Sequence, residues 1–202
     1  MPDWSVSLRE RKKQATREAL RSAALRLALE RGPENVRVDD IAEAAGVSPR
    51  TYNNYFSSRE EAIVAAVTAE RSTQLAAAVA RHPDGLAEAV VAAIVAQYAE
   101  PARDSLLMIT GSPALRACYV DTVTAIEDPL TDAVAARAPG LDRLAAAALA
   151  AAVGAAVKVA IRHWLQAATE PLPGFVVPAG SLEDLLRTAL APLRPALDAV
   201  DR

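Results

Sequence analysis

The chain has 202 residues, 52% hydrophobic, 23% charged and 4% aromatic, and its formal charge is −3 at pH 7. That length buries a core as one domain or two small ones, and an apolar content carried mainly by alanine, leucine and valine favours long helices, so the expected class is all-α. The lone Cys118 excludes an internal disulfide, and without an N-terminal apolar leader the expected compartment is the cytoplasm.

The first predicted helix covers about residues 8–31. Ser7 followed by Glu10 fits a capping box, Leu20, Ala24, Leu27 and Ala28 recur at helical spacing, and Gly32 supplies the stop. Its charge matters more than the net value. Residues 1–26 carry seven Lys and Arg against three Asp and Glu, whereas residues 82–202 carry nine against fourteen. A basic front on an acidic body steers a polyanion to one end; a solvated basic face is the plainer alternative for these charges alone.

A short second helix is predicted over about 38–45, closed by Gly46. A third opens with Ser48 as cap and Pro49 in its first turn, where the missing N–H costs nothing, and it ends near Tyr55. An isolated helix that short is marginal in water, so its neighbours must hold it while it offers side chains to a partner. Two short helices joined through "AAGVSP" match the helix-turn-helix pattern, whose second helix enters the major groove. Ile41, Ala45, Val47, Tyr52 and Phe56 are expected to bury the back of this unit. Arg50, Thr51, Asn53, Asn54 and Tyr55 then face outward, suited to phosphates and base edges, asparagine being able to grip adenine with two hydrogen bonds. Lys12, Lys13 and Arg17 join them as expected phosphate contacts.

Ser58 with Glu61 opens a fourth helix expected to reach about residue 81, where "HPDG" breaks it. Beyond Gly85, helices are expected over about 86–100, 102–109, 114–137 with a kink at Pro129, 141–166, and 182–200; residues 167–180, rich in proline and glycine, form a loop. The apolar run 144–157 is shorter than a membrane span and reads as a buried core helix, so no membrane partner is expected. The last two helices are candidates for dimerisation. One has Ala150 and Gly154 a turn apart, and the other carries Leu182, Leu185, Leu186, Ala189, Leu190 and Leu193 as an apolar stripe after Ser181. Packing within the chain is the alternative use of both.

Tyr98, Met108, Tyr119, His163 and Trp164 form an apolar and aromatic set suited to lining a cavity for a hydrophobic small molecule, with plain core packing as the alternative for each. No catalytic motif is present: none of the three lysines follows a glycine-rich loop, G-x-S-x-G and G-x-G-x-x-G are absent, and His82 and His163 lack a nearby cysteine pair for zinc. The expectation is no enzyme, no metal and no cofactor.

The run "VRVDDIAEAAGVSPRTYNNYFSSREEAI", preceded by "TREALRSAALRLALERG", resembles the DNA-binding domain of the TetR family of bacterial transcriptional regulators over about residues 9–63. The resemblance implies a homodimer with three N-terminal helices for DNA (1–57) and about six more for effector binding and dimerisation (58–202). It implies a repressor of a pseudo-palindromic operator, released by a small molecule. It also puts Arg59 where the family usually has a lysine that contacts backbone phosphate. The chain departs from the pattern at Ala28, Pro33, Arg37 and Asn53, where the family usually has Phe, an aromatic, Ser or Thr, and an aromatic. The alternative reading is a helical interaction or sensor module that has lost specific DNA binding.

Overall fold

The computed structural model describes residues 4–69, 71–98, 103–167 and 181–200. Among them every regular element is helical. Packing divides the chain into two compact units: one holds the described residues of Met1–Thr68 and Arg103–Cys118, the other those of Ala69–Ala102 and Tyr119–Arg202.

The first unit opens with α1 (Trp4–Arg31), which starts ahead of the expected Ser7 cap, buries Leu20, Ala23, Ala24, Leu27 and Ala28 on one face and leaves residues 8–15 exposed. Gly32 ends it at φ +81°, a left-handed backbone that favours glycine, with its N–H bonded to the Ala28 carbonyl at 3.0 Å. A 3-10 turn, Pro33–Asn35, leads into α2 (Val38–Ala44). Arg37 stands at the N-cap of α2 and has no side-chain acceptor to offer. The other half of a capping box survives, because the Arg37 backbone N–H donates to the Asp40 carboxylate at 3.0 Å. Gly46 at φ +69° turns the chain into α3 (Pro49–Asn53), and α4 (Arg59–Val67) follows, burying Ala62, Ile63 and Val64. α4 packs on α1, as does α7 (Arg103–Gly111). The first part of α8 (Pro113–Asp121) completes this unit.

The second unit contains α5 (Arg71–Arg81), α6 (Leu86–Tyr98), the 3-10 segment Thr122–Ile126, α9 (Glu127–Arg137), α10 (Arg143–Ala167), α11 (Leu182–Leu190), the 3-10 turn Ala191–Leu193 and α12 (Arg194–Val200). α9 packs against both α5 and α10, and α11 lies between α10 and α6. Arg137 of α9 fastens the end of α5 by donating to the carbonyls of Val79 at 3.0 Å and His82 at 2.8 Å. Gly154 of α10 is occupied from within the chain, since a Cβ there would stand 3.1 Å from the Glu127 carboxylate.

Helix breaks differ from the sequence expectation in three places. The helix expected over 58–81 is two, α4 stopping at Val67, where the Thr68 hydroxyl bonds back to the Val64 carbonyl at 3.0 Å. The break within 114–137 falls on Thr122–Ile126 rather than at Pro129, which sits in the first turn of α9, where a missing N–H does no harm. The C-terminal helix is interrupted at Ala191–Leu193 because Pro192 and Pro195 cannot donate to the preceding turn. The expected loop over 167–180 lies, apart from Ala167 itself, outside the described residues.

α10 is also less buried than a core helix. By length and composition it is long and apolar enough to cross a membrane, yet only 39% of its most apolar stretch is buried. Its inner face carries Ala146, Ala150, Val153, Val157, Ile161 and Trp164, while Leu144 and Val159 are 81% and 59% exposed. One side of this helix packs and the other does not.

Candidate nucleic-acid interface

α3 has only five residues, so bonds from outside the helix fix it. The Ser48 hydroxyl caps its start by accepting the Thr51 N–H at 3.2 Å. Tyr52, fully buried, donates its hydroxyl to the Ser58 carbonyl at 2.7 Å, tying the helix to the start of α4. Burial, helped by the carboxylates of Glu61 and Glu60, pushes this phenol well above its ordinary range and keeps the proton in that bond. Phe56, 2% exposed, meets the Tyr52 ring at 5.8 Å between centroids. At the start of α4, Ser58 accepts the Glu61 N–H at 3.1 Å, and the Glu61 carboxylate reaches back to the Ser57 N–H at 2.7 Å.

With its back so held, α3 presents its other side. Arg50, Asn53 and Asn54 are exposed and Thr51 and Tyr55 half-exposed. Of the residues expected behind it, Ile41, Tyr52 and Phe56 are buried, and Ala45 and Val47 are partly so. Thr51, Asn54 and Tyr55 face Arg9, Lys12, Lys13 and Thr16 of α1 across a groove of about 370 Å³. Three cations and no carboxylate line it among the described residues, which suits an anion flanked by hydrogen-bonding tips. Arg50 and Asn53 lie outside the groove and open to solvent. Arg17 is exposed, with its guanidinium 5.5 Å from the Phe56 ring centre, so its charge stands over the aromatic that follows α3. Sequence reasoning missed Arg9 and Thr16, although their spacing with Lys12 and Lys13 (9, 12, 13, 16) puts all four on one helical face.

Arg59 is half-exposed, and part of its guanidinium turns back onto the chain. Its Nη1 donates to the carbonyls of Glu34 and Val36, both at 3.0 Å, and its Nε to Glu60 at 2.7 Å.

The candidate effector residues separate. Tyr98, Tyr119 and Trp164 are buried in the second unit, at 1%, 2% and 4% exposure, and the Trp164 indole N–H has no acceptor among the described residues. Met108 belongs to the first unit and is half-exposed, and His163 is exposed on α10. Cys118 is half-buried and is not in a disulfide.

Residues 20–66 match the family model described as bacterial regulatory proteins, tetR family, and residues 99–198 match that of the MftR C-terminal domain. Over 70 residues the chain is 43% identical to the HTH-type transcriptional regulator TcmR of Streptomyces glaucescens, a match covering 35% of this chain and 31% of that relative. The chain thus spans about a third of the length of the curated relative it matches. Among solved structures, the fatty acid degradation regulator FadR from Bacillus halodurans aligns at 16% identity and a TM-score of 0.48, covering 90% of this chain and 96% of that one. A putative TetR-family transcriptional regulator from Rhodococcus sp. aligns at 24% identity and a TM-score of 0.47, covering 94% and 100%. The helix-turn-helix held as described falls within the first of these matches and the C-terminal helices within the second, so the chain belongs to the TetR family of bacterial regulatory proteins, with an N-terminal DNA-binding domain.

Proposed function

We propose that this regulator is a cytoplasmic, ligand-responsive repressor that binds a pseudo-palindromic operator as a homodimer. The observation that carries the reading is the basic groove between α1 and α3, where Arg9, Lys12 and Lys13 stand opposite Thr51, Asn54 and Tyr55. In this reading the groove seats a backbone phosphate. Arg50, Asn53 and Asn54 reach base edges, and Tyr55 and Arg17 add to the backbone contacts. Residues 1–57 then form the DNA-reading segment and residues 58–202 the effector and dimerisation segment.

One short helix reads few bases, so two copies related by a two-fold axis are needed, addressing half-sites about one helical turn apart or a multiple of it. The open stripe of α10, from Leu144 through Ala148, Ala151 and Ala155 to Val159, supports that pairing, and α11 with the following 3-10 turn leaves Leu185, Ala189 and Leu193 half-exposed. Apolar surface of this extent on a long helix is the mark of an interface. The effector is an apolar molecule with an acceptor group, held among Tyr98, Tyr119 and Trp164 of the second unit; the buried indole N–H of Trp164 supports this choice. Release from DNA requires that the effector prefer one spacing of the two reading helices, since equal affinity for both shifts nothing.

The test is selection of duplexes from a random pool, followed by footprinting on DNA next to the gene itself. Enrichment of an inverted repeat, bound by a dimer with an affinity that falls steeply as salt rises, is the expected result. Binding no tighter than to random duplex, or a particle that stays monomeric at high concentration, would leave the helical interaction module in its place.

A further inference from the structure

Arg59 is the first residue of α4, and its carbonyl acceptors belong to Glu34 and Val36, 25 and 23 residues earlier in the chain. The first of those carbonyls lies in the 3-10 turn Pro33–Asn35 and the second in the extended pair Val36–Arg37 that delivers the chain into α2. A single nitrogen, Nη1, serves both at 3.0 Å, and Nε holds Glu60 at 2.7 Å, so the planar guanidinium is fixed at two corners. One residue before Arg59, the Ser58 carbonyl accepts the hydroxyl of Tyr52 from α3. The start of α4 is thereby bonded at adjacent residues to the entrance of α2 and to the centre of α3.

From this geometry we infer that Arg59 governs DNA recognition as a positioning residue, a clasp that sets the pose of α2 and through it α3, and that it does not bind a phosphate. The inference rests on the proposed reading of α3 as the DNA-reading helix, and it differs from the role that the resemblance implies for this position. A guanidinium that turned out to a phosphate would abandon two carbonyls, one of them in the loop at Val36, which is itself fully buried. With the clasp removed, the α2 entrance loosens and the reading side chains lose their register to the bases, while the cations of α1 remain as they were.

The test uses the full chain and two variants, Arg59→Gln and Arg59→Lys, with a duplex selected by the wild type and a random duplex as probes. Arg59→Gln is expected to weaken binding to the selected duplex about tenfold and to leave the random duplex unchanged, because lost register touches base contacts alone. The slope of log affinity against log salt stays at the wild-type value. In the DNA-free protein, amide hydrogen exchange across residues 35–41 rises by about tenfold or more, as loss of charge-assisted bonds requires. A phosphate contact would instead make the salt slope shallower by about 0.9 and leave exchange untouched, which overturns the inference. Equal weakening on both duplexes marks a merely structural role and overturns it as well. Should Arg59→Gln not fold, Arg59→Lys decides by exchange, since one ammonium cannot hold both carbonyls and Glu60 together: acceleration at 35–41 supports the clasp, and wild-type exchange refutes it. If the wild type selects no duplex, the DNA reading fails on its own, and the exchange measurement still stands for the clasp.

Discussion

α3 and α10 show two ways of holding a helix. α3 has five residues and is fixed by directional bonds: the Ser48 cap, the Tyr52 hydroxyl on the Ser58 carbonyl, and the Arg59 guanidinium on the loop before α2. α10 has 25 residues and is fixed by area, through alanine and branched side chains along one face. Its ion pairs, Arg143 with Asp132 at 3.0 Å and Lys158 with Asp121 at 2.8 Å, include strongly exposed partners and contribute at most about 1 kcal/mol each. A helix held by a few bonds has a defined pose and responds sharply to single substitutions, which suits the role proposed for α3, meeting base edges in register. A helix held by area tolerates change on its packed side and leaves its other side free for a partner.

The largest effect that tests this contrast comes from truncating one anchor on each side. Tyr52→Ala is expected to cost about 3–5 kcal/mol, removing a buried ring and its hydrogen bond to the Ser58 carbonyl, whereas Val157→Ala costs about 2 kcal/mol. Denaturant unfolding of both variants reads the difference, and equal losses would break the comparison. Next in size is the open side of α10: Leu144→Asp with Val159→Asp is expected to raise the dimer dissociation constant at least about a hundredfold by burying like charges at the interface. Sedimentation checks it, and a dimer unchanged by two carboxylates would place the interface elsewhere.

Smaller effects sharpen the reading end. Asn54→Ala should cost about 1–3 kcal/mol against the selected duplex and relax preference at one base position. Tyr55→Ala weakens all duplexes alike, and Lys12→Ala makes the salt slope shallower by about 0.9. Matching binding profiles for Asn54→Ala and Tyr55→Ala would erase the distinction between base and backbone contacts. The smallest effect belongs to Glu88, whose carboxyl is held below its usual value of 4.5 by the hydrogen bond from Arg194 at 2.7 Å. A depressed carboxylate contributes stability that is present above pH 4.5 and lost as pH falls through the folded value. Because the pair is largely in water, Glu88→Gln should remove only a slight dependence of unfolding midpoint on acid, and a large change would show that Arg194 anchors more than this one partner.

Much of the reading end was legible because its signals are local. Gly32 and Gly46 end helices within one residue of where composition put them, and Ser48 and Ser58 cap the helices they precede. The outward set on α3 follows from a short helix with two aromatics on its inner side. The second unit was less legible. In the stretch from Leu182 to Leu193, burial goes to Leu182, Leu186 and Leu190 while Leu185, Ala189 and Leu193 stay partly open, a division that periodicity cannot make when both faces are apolar. Likewise Ala150 and Gly154 looked open to a neighbouring chain, and Glu127 of α9 fills the place beside Gly154.

By itself the sequence determined the helical class, the glycine stops at Gly32 and Gly46, the serine starts of α3 and α4, and the polar character of the exposed side of α3, because caps, glycine conformation and the 3.6-residue period act within a turn or two. Tertiary structure alone decided that Arg59 reaches back to Glu34 and Val36, that Arg9 and Thr16 share a groove with Asn54, and that α10 keeps Leu144 and Val159 in solvent. A long side chain takes whichever acceptor packing brings within reach, and an apolar helix buries whichever face its neighbours cover; neither is written in the residues next to it.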